Sequence, residues 1–483
     1  MQRRLKQIAL ITGPLLALLI PLVFAISDHP KAAVMLGIAL WMAIWWMTEC
    51  VPLAVTALIP LIAFPLTGIA PGKDTAPNYM TSTIFLFLGG FLIAQAMAAT
   101  GLHRRIALFI LSRWNASLSQ ILIGFAAATA FLSMWISNTA TTMLMVTIAI
   151  AVLAKLDGHL KAEEMPVVAS TLLLTIAYSA SIGGMGTPVG SPPNLVFLET
   201  MRRVSPEKVP SFLQWMMLGV PVAIAGLAVL YLTEGRRLRH LPLSASAVTM
   251  LKKEAEGLGP MRGEERFVAA VLSLTALAWM TREGIRGEGF NIPGWSALLP
   301  HKGLDDGTVA IAAAFTFFVL PLKAGAPILD RAAFGRLPWH ILLLFGGGFA
   351  MAMGMERSGL SEAIGNQMAF LTHVPPLFMM LGIALGVTFL TEITSNTATT
   401  QVLLPILAAV AAGSGQDAVL LLATATLSAS CAFMLPVATP PNAIVFGTDR
   451  VSMSAMMKAG LKLNLTMALV IVAIVRLLRF ALP

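Results

Sequence analysis

The chain has 483 residues, of which 57% are hydrophobic and 11% are charged, and its mean hydropathy is +0.83. This polar fraction is too small to cover a water-soluble globule of this size, so the composition excludes a soluble protein and predicts a protein embedded in lipid. The 32 basic residues outnumber the 23 acidic ones. Because most of them lie in short runs between apolar segments, the positive-inside bias and anionic lipid explain the excess, and nucleic acid is not implied.

The chain begins with a basic hexapeptide and then an apolar run from Ile8 to Ile26, which predicts a first membrane-spanning helix with its N-terminus in the cytoplasm. Further apolar stretches of about 20 residues follow, each ended by charges or by proline and glycine. Their number predicts an all-α polytopic membrane protein with about eleven transmembrane helices and an external C-terminus.

A repeat runs through the sequence. Residues 137–142, with the sequence SNTATT, recur letter for letter at 395–400, a displacement of 258 positions that also aligns residues 89–91 with 347–349. Residues 188–194 match 436–442 at a displacement of 248. Two copies of very apolar helices are typical of secondary transporters. We therefore predict one repeat in 1–234, a cytoplasmic linker or arm in 235–265, and a second repeat in 266–483.

Charge predicts the relative orientation of the two repeats. The loop after the first Gly-Gly-Phe motif has three basic residues and no acid, whereas its counterpart has one basic and two acidic residues: Arg104, Arg105 and Arg113 in the first, and Glu356, Arg357 and Glu362 in the second. The first loop is therefore predicted to be cytoplasmic and the second external, as in inverted-topology repeats. Arg202, Arg203 and Lys208 are an exception, because this orientation places them outside.

A polar Ser-Asn-Thr motif interrupts a long uncharged stretch in each repeat. Between Arg113 and Lys155 the motif leaves an approach of about 20 residues and a return of 15. Fifteen residues rise only about 22 Å as helix, less than the ~30 Å hydrocarbon core. This length predicts a re-entrant hairpin in 117–155, and a second hairpin in 375–412 that enters from the opposite face, so that the two tips meet near the middle of the membrane.

Each repeat also has a double proline inside an apolar segment, in 166–203 and in 417–452. Proline lacks an N–H and clashes with the preceding turn, so each helix is predicted to unwind there. Unwound backbone at this depth must line a cavity or lie within protein, and its free carbonyl groups suit cation coordination. An ordinary pair of proline kinks is the alternative.

The hairpin tips offer neutral oxygen and nitrogen groups but no lysine or arginine. Helices that start after each tip would point N–H groups and a positive dipole end at the cavity, which favours an anion. Small hard cations prefer oxygen ligands. Such ligands are available in both repeats: Ser133, Ser137 and Asn138 in the first, and Thr391, Ser395 and Asn396 in the second. The alternative is that these residues only join helices to one another.

With these paired motifs the chain resembles the divalent anion/sodium symporter (DASS) family over essentially its whole length. The resemblance implies one sodium site at Ser133, Ser137, Asn138 and the backbone near Gly190, and another at Thr391, Ser395, Asn396 and the backbone near Ala438. It also implies a substrate site at Asn138, Thr139, Asn396 and Thr397, with Pro192 and Pro440 nearby. Sodium would be the coupling ion, with no organic cofactor.

The family resemblance further implies a homodimer in which a transport domain moves as an elevator against a scaffold domain. In that family, intact Ser-Asn-Thr motifs favour dicarboxylates over sulfate, which implies C4-dicarboxylates such as succinate, or citrate or other dicarboxylates. The alternatives are a sodium-independent dicarboxylate exchanger and a symporter of sulfate or another inorganic dianion. An uncoupled anion channel is a further alternative.

Enzyme chemistry is not supported. The sequence has no His-Glu-x-x-His zinc motif and no phosphate-binding loop, and a serine hydrolase built on Ser137 or Ser395 would lack a nearby base. Glu392, three residues before Ser395, is an ionisable group at membrane depth. Two roles stay open for Glu392. The first is a direct role in cation binding or in hairpin stability, and the second is a structural hydrogen bond.

Overall fold

The computed structural model describes residues 2–23, 29–114, 117–157, 159–239, 241, 245–287, 290–300, 303–322 and 325–482. Residues 24–26, the predicted end of the first helix, lie outside this part of the chain. The described residues form 23 α-helices and one antiparallel pair of short strands, β1 (Gly284–Gly287) and β2 (Phe290–Pro293). The predicted helical fold class is confirmed.

The first half of the chain contains twelve helices before the linker. In chain order they are α1 (Gln2–Val23), α2 (Pro30–Thr48), α3 (Leu53–Thr56), α4 (Ile59–Thr67), α5 (Gly72–Thr75), α6 (Ser82–Thr100), α7 (Leu102–Leu111), α8 (Leu118–Ser133), α9 (Asn138–Leu156), α10 (Glu164–Gly184), α11 (Pro192–Val204) and α12 (Phe212–Thr233). The linker then contains α13 (Ala245–Gly257).

The second half repeats much of this order. Its helices are α14 (Gly263–Thr281), α15 (Asp306–Val319), α16 (Ala332–Gly335), α17 (Trp339–Arg357), α18 (Leu360–Gln367), α19 (Pro376–Thr391), α20 (Asn396–Ser414), α21 (Ala418–Ala429), α22 (Pro440–Phe446) and α23 (Met453–Leu477). Nine helices of the described residues are long and apolar enough to cross a membrane. The number of crossings and the inverted repeats stay predictions.

The two hairpin segments consist of α8 and α9 in the first half and α19 and α20 in the second. The length expected for the return arm was wrong: α9 has 19 residues, about 28 Å of helix, and α20 also has 19. By length alone, either helix could span the membrane. The packing instead supports a hairpin, because α8 contacts α7, α9 contacts α13, and α7 and α13 contact each other. The two arms of the first hairpin therefore contact two helices that also pack on each other, α7 and α13.

The two proline segments are full interruptions rather than kinks. The chain leaves helix between α10 and α11 over residues 185–191, and between α21 and α22 over 430–439. An asparagine closes each gap: Asn194 Nδ2 donates to the carbonyls of Gly184 and Thr187 at 2.9 and 2.8 Å, and Asn442 Nδ2 donates to those of Ala432 and Leu435, both at 3.0 Å. All three pairs of equivalent residues are displaced by 248 positions.

The interrupted helices of the two halves cross each other. The first segment of one contacts the second segment of the other, since α10 packs against α22 and α11 against α21. The new helix after each break also packs on the opposite hairpin, α11 on α20 and α22 on α9. These contacts bring both hairpin arms and both breaks to one region of the molecule.

Helices α6 and α17 also meet through equivalent residues. The rings of Phe87 and Phe345, which are 258 positions apart, contact each other at 5.2 Å between centroids. Contact between a residue and its own counterpart is expected on a two-fold axis. Gly89 lies against Ala310 and its counterpart Gly347 lies against Ala57, so closely that a Cβ on either glycine would lie 2.5 Å from its neighbour. Each Gly-Gly helix thus crosses a small residue of the opposite half.

Candidate substrate and cation site

A cluster of three oxygen atoms lies at the end of α8. Ser133 is fully buried, and its Oγ lies 2.5 Å from Oδ1 of Asn138 and 2.7 Å from the carbonyl oxygen of Ala180 on α10. A hydroxyl has one hydrogen to donate, so it can satisfy only one of these two acceptors at a time. The cluster therefore has more lone pairs than donors, which is the chemistry that attracts a cation with oxygen ligands.

The same cluster forms at the end of α19. Thr391 is fully buried, and its Oγ1 lies 2.7 Å from Oδ1 of Asn396 and 3.0 Å from the carbonyl oxygen of Ala429 on α21. Here too one hydroxyl hydrogen faces two acceptors. The two halves of the chain thus build two oxygen clusters from equivalent hairpin positions.

Ser137 and Ser395 are the N-cap residues of α9 and α20. The Ser137 side chain accepts a hydrogen bond from the Ala140 N–H at 3.3 Å. Asn138 and Thr139 lie in the first turn of α9, and Asn396 and Thr397 lie in the first turn of α20. All four residues are partly buried. The free N–H groups of a first turn make an anion-binding end.

Close backbone approach brings Gly190 into the first cluster. A Cβ on Gly190 would lie 3.1 Å from the Ser133 carbonyl oxygen, and a Cβ on Gly184 would lie 2.8 Å from Asn138 Oδ1 and 3.1 Å from the Gly190 carbonyl oxygen. Only glycine fits such contacts. In the second half Ala438 is buried in the break, where its N–H donates to the Leu435 carbonyl at 3.2 Å.

Pro192 and Pro440 each begin a new helix, α11 and α22, immediately after Ser191 and Thr439 as N-caps. Proline is favoured at this position because its missing N–H would be unpaired in any case. Pro192 is partly buried and Pro440 is exposed. The double-proline motif therefore marks the start of a new helix in each half.

Glu392 is buried beside the second cluster and holds the break of the second half. Its Oε1 accepts hydrogen bonds from the N–H groups of Phe433 and Met434 at 2.7 and 2.8 Å, and its Oε2 accepts one from Leu435 N–H at 3.1 Å. Asn464 Nδ2 donates to Oε1 at 2.7 Å. Of the two roles open from sequence, the hydrogen bonds match the structural one.

Several residues of the site escaped the sequence analysis. The carbonyl groups of Ala180 and Ala429 have no side-chain signature, so no motif could reveal them. Asn194 and Asn442 did carry a signal, because each follows a double proline at equivalent positions. Among the described residues no group of three or more His, Cys, Asp or Glu side chains could hold a metal ion. A cation would therefore rely on hydroxyl, amide and carbonyl oxygens.

A buried carboxylate joins α11 to α6. Glu199 Oε2 accepts hydrogen bonds from Thr83 Oγ1 at 2.7 Å and from Arg202 at 2.8 Å, and Arg202 also donates to Thr83. Arg203 lies 3.4 Å from Glu199 Oε1 and donates to Asn78 Oδ1 at 2.7 Å. Glu199 thus neutralises part of the positive charge that stood as an exception to the predicted orientation.

Equivalent faces of α9 and α20 differ in burial. Five positions on one face of α20 are buried while their counterparts on α9 are exposed: the pairs are Ala398 and Ala140, Gln401 and Met143, Pro405 and Thr147, Ala408 and Ile150, and Ala409 and Ala151. Gln401 is 1% exposed and Met143 is 56% exposed. The buried face packs against α2 and α17, where Gln401 fills the space beside Gly348.

A bundle of apolar helices with two crossed, interrupted segments and two polar hairpin tips defines a polytopic membrane carrier. The chain belongs to the divalent anion/sodium symporter family: the family model described as the sodium:sulfate symporter transmembrane region matches residues 1–480. It is 39% identical to the sodium-dependent dicarboxylate transporter SdcS of Staphylococcus aureus strains MSSA476 and NCTC 8325, over 97% of this chain and 90% of the relative.

A solved structure has a similar fold. The YdaH transporter of Alcanivorax borkumensis aligns with 85% of this chain and 86% of its own, at a TM-score of 0.51 and 15% identity. This likeness concerns the fold alone. It agrees with the helical fold class.

Proposed function

We propose that this protein is a secondary active transporter that moves sodium together with a C4-dicarboxylate such as succinate. The observation that carries the proposal is the pair of equivalent oxygen clusters, at Ser133 and at Thr391, each beside the first turn of a helix. The 39% identity to a sodium-dependent dicarboxylate transporter supports the same reading.

In this proposal the oxygen clusters bind sodium. Ser133, Ser137 and Asn138, with the Gly190 backbone, would form one site, and the carbonyl oxygen of Ala180 adds a ligand. The other site is proposed at the equivalent residues Thr391, Ser395, Asn396 and the Ala438 backbone, with the Ala429 carbonyl oxygen as the added ligand. Sodium supplies the positive charge that the tips lack.

The dianion would bind between the first turns of α9 and α20. Asn138 and Asn396 would donate from their amides, Thr139 and Thr397 from their hydroxyls, and both helix ends would contribute N–H groups. Each asparagine would then serve both ligands, with Oδ1 toward sodium and Nδ2 toward a carboxylate. This sharing couples the two solutes, since sodium fixes the side chain that the anion needs.

Succinate uptake into proteoliposomes tests the proposal. An inward sodium gradient should accelerate uptake compared with an equal potassium gradient. Acceleration by internal dicarboxylate alone would instead indicate a sodium-independent exchanger, and current that does not saturate would indicate a channel. Asn138→Ala and Asn396→Ala should each abolish uptake while the folded protein is still extracted, and unchanged affinity in either variant would contradict the anion site.

The sodium sites have a matched control. Ser133→Ala should chiefly raise the sodium concentration for half-maximal uptake, because the hydroxyl ligand is lost. Thr129→Val removes another buried hydroxyl on α8, which bonds only within its own helix to Phe125. It should leave sodium dependence unchanged. Equal effects of the two substitutions would argue against the assignment.

A second candidate substrate is sulfate or another inorganic dianion, which the description of the family model favours. Both candidates are dianions that a positive helix end can bind. They differ in the distance between their negative charges, which is longer in a C4-dicarboxylate than in sulfate. Inhibition of labelled succinate uptake by sulfate, citrate and other dicarboxylates, with and without sodium, shows which anion is preferred.

We further propose an elevator motion. The observation that supports it is the unequal burial of equivalent faces of α9 and α20. In the alternate state the exposed face of α9 would pack on α6, as the face of α20 packs on α17 now. The exchange predicts that Met143 would approach Gly90, the counterpart of Gly348. The Glu199 contact between α11 and α6 would have to change during such a motion.

Paired cysteines test the exchange in a background without the two native cysteines. Gly348→Cys with Gln401→Cys should cross-link in the state described here. Gly90→Cys with Met143→Cys should cross-link only when the alternate state is populated, and should block transport until a reductant is added. A first pair that cross-links while the second never does, under all sodium and succinate conditions, would contradict the motion.

The proposed assembly follows the family resemblance, and the proposed orientation follows the charges of the N-terminus and the loops. We propose a homodimer, which native mass spectrometry of the purified protein tests directly. We also propose that the N-terminus is cytoplasmic and the C-terminus external in the plasma membrane. A cysteine at Lys6 should react with an impermeant reagent only after the cell membrane is opened.

A further inference from the structure

A large basic cavity lies away from the proposed transport site. It has a volume of about 650 Å³ and lies between the first turns of α10, the end of α12 and the start of α23. Four cationic side chains line it against one carboxylate: Arg237, Arg450, Lys458 and Lys462 against Glu234. Its size is in the range of a small-ligand pocket.

The positive charge of the cavity is only partly neutralised. Glu234 is buried, and it contacts Arg237 at 3.0 Å and Lys462 at 3.9 Å. Within the part of the chain that the structure describes, Arg450 and Lys458 have no acidic side chain within 4.0 Å. Both are exposed. Two cations therefore stay available to an anionic ligand.

The cavity continues into an apolar surface. Leu461, Leu465 and Leu469 follow Lys458 and Lys462 on the same side of α23, and they are 41%, 44% and 60% exposed. Residues four apart lie in one row along a helix, so these leucines form a stripe that begins beside the two lysines. On α10, Val167 at the rim is 45% exposed. A free phosphate would use the cations but not this stripe.

From this combination we infer a binding site for an anionic phospholipid, whose phosphate-containing headgroup occupies the basic cavity and whose acyl chain follows the leucine stripe of α23. Basic pockets between membrane helices bind such headgroups on the cytoplasmic side. The predicted orientation places this end of the molecule in the cytoplasm, since Arg237 lies in the predicted cytoplasmic linker and Glu234 directly precedes it. The site belongs to neither oxygen cluster.

Native mass spectrometry of the full chain with phosphatidylglycerol and phosphatidylcholine tests this site. Each basic residue near the surface contributes roughly a fivefold change in affinity for an anionic lipid. The double variant K458Q/K462Q should therefore bind phosphatidylglycerol about 25-fold more weakly. The matched variant K252Q/K253Q removes the same charge from the exposed face of α13 and should change binding less than about twofold.

A substitution of opposite sign separates electrostatics from structural damage. E234Q removes the one acid of the cavity and should strengthen phosphatidylglycerol binding, by roughly fivefold. If K458Q/K462Q does not fold, the single variant R450Q should still weaken binding roughly fivefold. Wild-type binding by these variants, equal binding of phosphatidylcholine, or displacement of the lipid by an equal concentration of inorganic phosphate would overturn the assignment.

Discussion

Glu392 gives the sharpest test of how the second break is held. Its carboxylate accepts hydrogen bonds from three successive backbone N–H groups and from Asn464. Each buried donor left without a partner costs about 1–3 kcal/mol. Glu392→Ala leaves all four donors without an acceptor, so we expect a loss of at least about 4 kcal/mol and a protein that no longer transports.

Glu392→Gln is the more informative change because it keeps the shape. Oε1 is retained as an acceptor, but the new amide nitrogen faces the Leu435 N–H, donor against donor, and the charge is lost. Hydrogen bonds to charged groups contribute about 1.5–3 kcal/mol, against about 0.5–1.5 for neutral ones. A net loss of roughly 1–2 kcal/mol is therefore expected in the free energy of unfolding. Because the break carries the Ala438 backbone of the proposed second sodium site, the sodium concentration for half-maximal uptake should also rise.

The assay is sodium-dependent succinate uptake, with thermal stability measured on the same preparation. Asn464→Leu removes one of the four donors and leaves the backbone N–H groups paired, so it should change the sodium requirement less than Glu392→Gln does. At the equivalent position of the first half stands Met134, and Met134→Leu should have no effect on sodium dependence. Wild-type stability and wild-type sodium dependence in Glu392→Gln would refute the reasoning.

Three further changes test the packing of the two halves. Glu199→Gln removes the charge that holds Arg202 and Arg203 and so weakens the contact between α11 and α6, and cross-linking of Gly348→Cys with Gln401→Cys in the present state should slow. Gly347→Val places a side chain where a Cβ would already lie 2.5 Å from the carbonyl oxygen of Ala57, and should lower the melting temperature through roughly 1–3 kcal/mol of overpacking. Asn442→Ala frees two carbonyl groups in the break and should raise the sodium requirement, whereas normal uptake kinetics would show that the break closes without it.

The location of the breaks could be predicted because their causes are local. A double proline cannot continue a helix, and a serine followed by Asn-Thr starts one, whatever surrounds them. The internal repeat strengthened each prediction, since an equivalent residue in the other half carried the same signal. The length of the hairpin return arm was mispredicted because the count ran only from the end of the Ser-Asn-Thr motif to Lys155. The helix α9 instead starts within the motif, at Asn138, and continues to Leu156.

The sequence by itself determined a lipid-embedded helical protein, its two related halves, and the polar tips and proline breaks that mark the proposed site. Only the tertiary structure decided which atoms face those tips: the carbonyl oxygens of Ala180 and Ala429 come from helices far along the chain. It also decided that one face of α20 is buried while the equivalent face of α9 is exposed, and that Arg237, Arg450, Lys458 and Lys462 share one cavity. The physical reason is that backbone carbonyls and long-range packing have no signature in residue type, whereas proline and helix-capping rules act within a few residues.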